Sequence, residues 1–109
     1  AVNERQKRLM RGKSIESALC PFCGRPSTNR HHIVPRSAGG KNGPTVCVCG
    51  MGNASGCHRL LELHYLHMDW DEADGCWKYL RTDEPMKDER ADMLDGWRPV
   101  RSLDDAFAV

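Results

Sequence analysis

Aromatic side chains are scarce, making up 6% of the 109 residues. A chain of this length buries a modest apolar core in any case, and small domains short of burial commonly rely on a metal or on disulfides. No apolar run comes near the about 18 residues that read as a membrane span, so no membrane is expected. Nothing reads as a secretory leader or a lipidation motif, and there is no internal repeat or low-complexity stretch. The net charge is only +1 at pH 7, which excludes a uniformly basic or acidic protein. Length sets the expectation of one domain over residues 1–109.

Cysteine, in contrast, is plentiful: positions 20, 23, 47, 49, 57 and 76. Without a leader these do not suggest a secreted disulfide scaffold. Cys20-x-x-Cys23 followed by Gly24 reads as a zinc knuckle, which places the protein in a reducing, cytoplasmic compartment. The charge is also unevenly spread. Residues 1–60 carry ten bases against two acids, net +8, and residues 61–109 carry six bases against thirteen acids, net −7. A basic half of this kind suits a polyanion such as nucleic acid; the alternative is that the two halves attract each other within the fold.

Local signals predict the layout. Residues 3–12 read as a short basic helix, with Asn3 as cap and Gly12 as stop. Residues 30–34 and 45–49 read as strands around a glycine- and proline-rich loop, 35–44, and so as a hairpin. A second turn at 50–56 leads into a helix over 57–68. Asp69 to Asp74 read as solvated acids, Cys76 to Leu80 as a strand with Gly96 to Val100 as its partner, and Asp83 to Asp95 as a charged connection. Ser102 to Val109 read as a loose tail, and residues 83–109 either dock a protein partner through their acids, Trp97 and Phe107 or cap the core. The core is placed at about 20–68, with a C-terminal extension from 69 to 109.

Structural zinc prefers four tetrahedral Cys or His ligands brought in as two turn-borne pairs. Cys20 and Cys23 make the first pair, and Cys57 belongs to the second. Its partner is Cys49, because Gly50 follows it, or Cys47, two residues earlier on the same face of the strand. Zinc consumes four thiolates and leaves His31, His32 and His58 free. Neighbouring strand residues face opposite ways, so His31 and His32 divide roles, one as a ligand and one as a base. Glu62 lies four residues after His58 on one helix face, and both can reach the ion that His31 binds. His64 and His67 read as ordinary surface or core residues.

Taken together, Cys20-x-x-Cys23-Gly24, His31-His32-Ile33-Val34-Pro35-Arg36-Ser37-x-Gly39-Gly40, Asn42 and Cys49-Gly50 through Gly56-Cys57-His58 resemble the HNH endonuclease family, closest to the short versions found in phage and prophage genomes. The resemblance spans residues 20–62. It implies a small zinc-bound α+β domain of the ββα-metal, treble-clef-like type: a hairpin and a helix, here with a basic N-terminal helix and a short C-terminal β extension. It further implies His31, His58 and Glu62 as ligands of a catalytic divalent ion (Mg²⁺, Mn²⁺, Ni²⁺ or Zn²⁺), His32 as general base and Asn42 as the residue that orients it. Asn42 lies five residues before Cys47 and seven before Cys49, so spacing favours Cys47 and the following glycine favours Cys49.

The expected activity is metal-dependent hydrolysis of DNA phosphodiesters, by nicking or double-strand cleavage. Arg30, Arg36 and Lys41 would hold phosphates with little sequence preference. DNA is the expected partner and a monomer the expected state. The resemblance also implies a phage- or prophage-encoded protein in a bacterial cytoplasm, beside a terminase or portal protein in genome packaging. Two other classes compete: a non-catalytic zinc module that binds DNA or protein, and a thiol redox protein with a Cys20–Cys23 disulfide.

Overall fold

Asn3 starts the first helix in the way its side chain permits. Its carboxamide oxygen accepts from the Gln6 amide, the Gln6 side chain accepts from the Asn3 amide, and helix α1 runs Glu4–Met10 behind this capping box. The computed structural model describes residues 3–100, so the tail Ser102 to Val109, with Phe107, lies outside the described residues. Strands β1 (Asn29–His32) and β2 (Thr45–Val48) pair antiparallel, with His31 opposite Val46 and Arg30 opposite Cys47. The loop between them carries one 3₁₀ turn, Arg36–Ala38. Helix α2, Gly56–Glu62, follows after a second 3₁₀ turn, Gly52–Ala54.

The helix expected over 57–68 therefore ends six residues early. His64 turns left-handed, with φ 64°, and the chain reverses there. Residues 66–71 instead form strand β3 (Leu66–Asp71), paired antiparallel with β4 (Cys76–Arg81). Pairing of a whole strand outweighs the weak helical preference of Leu66-His67-Met68, a case of tertiary context overriding propensity. Asp69 and Asp71, expected to be solvated, lie on β3, paired with Arg8 and Lys78. The expected partner strand is present as β5 (Arg98–Pro99) beside Lys78 and Tyr79. A short helix α3, Asp88–Ala91, interrupts the charged connection before it. Among the described residues the result is an α+β domain with a two-stranded sheet, a three-stranded sheet and three α-helices.

Leu9 of α1, Val34, Val46 and Val48 of the hairpin region, Leu61 of α2 and Leu66, Met68 and Trp77 of the second sheet meet in one core. Each such side chain contributes about 1.5–3 kcal/mol by leaving water. Two aromatic pairs concentrate the few rings available: Trp70 edge-on to Trp77 at 5.1 Å, and Phe22 edge-on to Tyr79 at 5.3 Å. No helix among the described residues is long and apolar enough to cross a membrane.

Part of the charge asymmetry is spent inside the fold. Arg5 is buried, with its guanidinium on Asp92 at 2.8 Å, on Asp88 at 3.6 Å and on the Met68 carbonyl. Arg8 forks onto Asp69 at 2.9 and 3.1 Å, and Arg11 pairs with Glu72. Asp88 also receives His67, which is fully buried, at 2.7 Å. Burial pushes the Asp88 carboxyl up, but His67 and Arg5 outweigh it and hold it below the ordinary carboxylate value. Arg5 and Arg8 of α1 thus clamp β3 and α3, Arg11 just past α1 holds Glu72 in the turn after β3, and the reading in which the two halves attract each other holds for α1.

Candidate metal centres and the histidine-lined cleft

The first knuckle is a tight turn: the Gly24 amide donates to the Cys20 carbonyl at 2.9 Å, with Gly24 at φ 80°. The second is the stretch from Cys49 to Cys57, which closes on itself at Gly50 and Gly56. Both have positive φ, and a Cβ on either would strike backbone, Ser55 in one case and Cys49 and Gly50 in the other. Only glycine permits that approach. Asn29 braces the turn: its carboxamide donates to the Gly50 carbonyl and accepts from the Gly52 amide at 3.1 Å. Reading the sequence alone missed this residue, since an asparagine at a strand start carries no motif.

These turns bring Cys20, Cys23, Cys49 and Cys57 together, with one sulfur from each within 4.8 Å of all the others. Tetrahedral zinc with bonds near 2.3 Å sets its sulfurs about 3.8 Å apart, so four cysteines this close can hold a structural metal such as zinc. Cys47 stays outside the cluster, on the strand position opposite Arg30. The Cys20 thiol is pulled down to about 4 by hydrogen bonds from Cys57 and from backbone amides, whereas Cys57, as the donor, is pushed up, and desolvation pushes Cys23 up. A bound dication would displace the remaining thiol protons and offset the charge of the thiolates. The Cys57 amide already donates to the Cys49 sulfur at 3.3 Å.

The second cluster is built on the first. The His58 amide donates to the Cys49 carbonyl at 3.2 Å, so the thiol site fixes the start of α2. Glu62 follows one turn later. Across from it, strand alternation puts His31 on the same side of the hairpin as the buried Val46 and Val48, toward α2. The imidazoles of His31 and His58 meet edge to face, 5.3 Å between centroids. One Glu62 oxygen lies 3.2 Å from His31 Nδ1 and 3.5 Å from His58 Nε2.

Ligands about 2.1 Å from a common ion stand about 3.0–3.5 Å apart, so this donor set can hold a divalent cation. The histidines are nearly enclosed, 15% and 11% exposed, and Glu62 is open at 41%. Burial holds His31 below the ordinary imidazole value, toward the neutral form that ligates, with Glu62 working against it. His58 Nδ1 is buried without a hydrogen-bond partner.

Both histidines and Glu62 line a cleft of about 650 Å³, and so do His32, Arg30, Arg36 and His64. Arg5, Leu9, Leu66, Met68 and Asp88 form further parts of its lining. Arg30 reaches Glu16 at 3.5 Å on the surface. Lys41 and Asn42 are exposed on the loop and lie outside the cleft lining. Trp97 is half-buried, its indole donating to the Ala91 carbonyl at 3.1 Å. Comparison with family models, with curated proteins and with solved structures found no match for this chain.

Proposed function

We propose that the protein is a metal-dependent DNA endonuclease of the HNH, ββα-metal type. The observation that carries the reading is the convergence of His31, His58 and Glu62 on one point, in a cleft that also presents His32, Arg30 and Arg36. Two imidazoles and a carboxylate form a mixed N and O donor set suited to Mn²⁺, Ni²⁺ or Zn²⁺, and Mg²⁺ chemistry is compatible with its carboxylate. A divalent ion held there by His31, His58 and Glu62 would supply Lewis-acid stabilisation of the charge that develops in the reaction.

The chain's own residues account for the rest. His32 stands outside the donor cluster but in the same cleft, which leaves its imidazole free to take a proton from water as that water attacks phosphorus. The bond from phosphorus to the 3′ oxygen breaks, and that oxygen takes its proton from solvent. Arg30 and Arg36 bind neighbouring phosphates and position the strand without reading bases. Asn42 lies on the exposed loop outside the cleft lining, so the scheme gives it no contact with the phosphate. With α1 committed to internal acids, the electrostatic footprint on DNA is small and affinity is modest. That same economy is the observation favouring the second reading, a zinc module that binds a partner without catalysis.

The test is a plasmid-nicking assay on zinc-loaded protein. Conversion of supercoiled to open-circular DNA is expected on addition of Mn²⁺, Ni²⁺ or Mg²⁺, and absent without an added ion. Binding without scission in every metal favours the non-catalytic module.

A further inference from the structure

Helix α2 ends in a Schellman motif with the wrong residue in it. The Tyr65 amide donates to the Leu60 carbonyl at 2.9 Å and the His64 amide to the Leu61 carbonyl at 3.3 Å. This pair of bonds needs a left-handed residue between them, and His64 supplies it at φ 64°. Glycine is the usual occupant, because any Cβ there crowds the neighbouring carbonyl. Among the described residues His64 is the non-glycine with positive φ. The surroundings hold it there: its carbonyl accepts from the Met86 amide at 3.1 Å, and that of Tyr65 from the Thr82 amide at 2.8 Å.

A strained position kept by an imidazole calls for a use of the imidazole. It is exposed and lines the same cleft as His31, His32, His58, Arg30 and Arg36. Its field reaches the Asp88 carboxyl, whose two oxygens already face His67 and Arg5. The internal network therefore does not need it.

We infer that His64 is a substrate-contacting residue: its ring N–H donates to a phosphate oxygen of the polynucleotide bound in the cleft, beside the phosphate being cleaved. This rests on the nuclease reading of the cleft. A purely structural role makes the opposite prediction. An imidazole at a helix C-terminus can favour the helix dipole, and removing it would then lower stability.

Initial nicking rates over a range of plasmid concentration, with thermal unfolding in parallel, separate the two for His64→Gly and His64→Asn. Glycine relieves the left-handed backbone, so the melting temperature is expected to rise by about 4–8 °C. KM is expected to rise about tenfold with kcat little changed, the mark of lost binding rather than lost chemistry. Asparagine tolerates the same backbone and keeps a donor, so it is expected to restore part of the affinity. An unchanged KM, or a fall in melting temperature with glycine, overturns the assignment while leaving the nuclease reading intact. Failure of the wild-type protein to nick overturns that reading, and this assignment with it.

Discussion

His32→Ala is expected to slow strand scission by about 10²–10⁴-fold, the range that a positioned general base contributes. Zinc content and thermal stability are expected to stay at wild-type values. The selectivity follows from where His32 sits. It is the last residue of β1, opposite Thr45, partly exposed and absent from both donor clusters. Its removal leaves the core of Val46, Val48 and Leu61 untouched. Nicking rates, unfolding curves and zinc analysis on the one variant make the measurement. An unchanged rate in the variant removes His32 from the chemistry and favours a non-catalytic module.

The second large effect separates two cysteines that lie two residues apart. Cys49→Ser is expected to abolish stoichiometric zinc and leave the protein without a cooperative unfolding transition. Cys47→Ser is expected to retain both. Structural zinc contributes about 10–16 kcal/mol in small zinc domains, and whole domains are stable by only about 5–15 kcal/mol. Loss of one of four ligands therefore removes most of what holds a core this small. Cys49 also anchors the His58 amide through its carbonyl and receives the Cys57 amide at its sulfur. Cys47 is half-buried on the strand and reaches none of the other thiols in the cluster. Zinc analysis by mass spectrometry and urea denaturation followed by circular dichroism decide it. Stoichiometric zinc in the Cys49 variant would contradict the assignment.

The parts that could be read from the chain were those with strong local chemistry. Asn3 marks a helix start, the alternating Thr45 to Val48 spell a strand, and paired cysteines flanked by glycine spell knuckles. The end of α2 was illegible for a specific reason. A Schellman motif normally announces itself by glycine, and here the left-handed residue is His64, so nothing marks a break before Leu66.

The pairing of the two charge halves could not be read either. Side chains 61 to 87 residues apart meet when α1 docks on β3 and α3, as Arg8 does on Asp69 and Arg5 on Asp92. Composition shows the asymmetry but not its partner. At the site, His31, His58 and Glu62 follow from strand alternation and an i to i+4 spacing, both local rules. The role given to Asn42 came from the resemblance alone, and the structure sets that residue on an exposed turn outside the cleft. Asn29, which braces the second knuckle, belongs to no motif and emerges only once the turn at Gly50 to Gly52 is seen.

The central claim is that thiolates hold one metal for the scaffold while His31, His58 and Glu62 hold another for chemistry. Calorimetric titration of zinc-loaded protein with Mn²⁺ addresses it most directly, with His58→Ala as the comparison. One Mn²⁺ bound per chain in the wild type, and none in the variant whose zinc remains in place, is the predicted result. No manganese site in the wild type, or a site that survives in His58→Ala, would contradict the account.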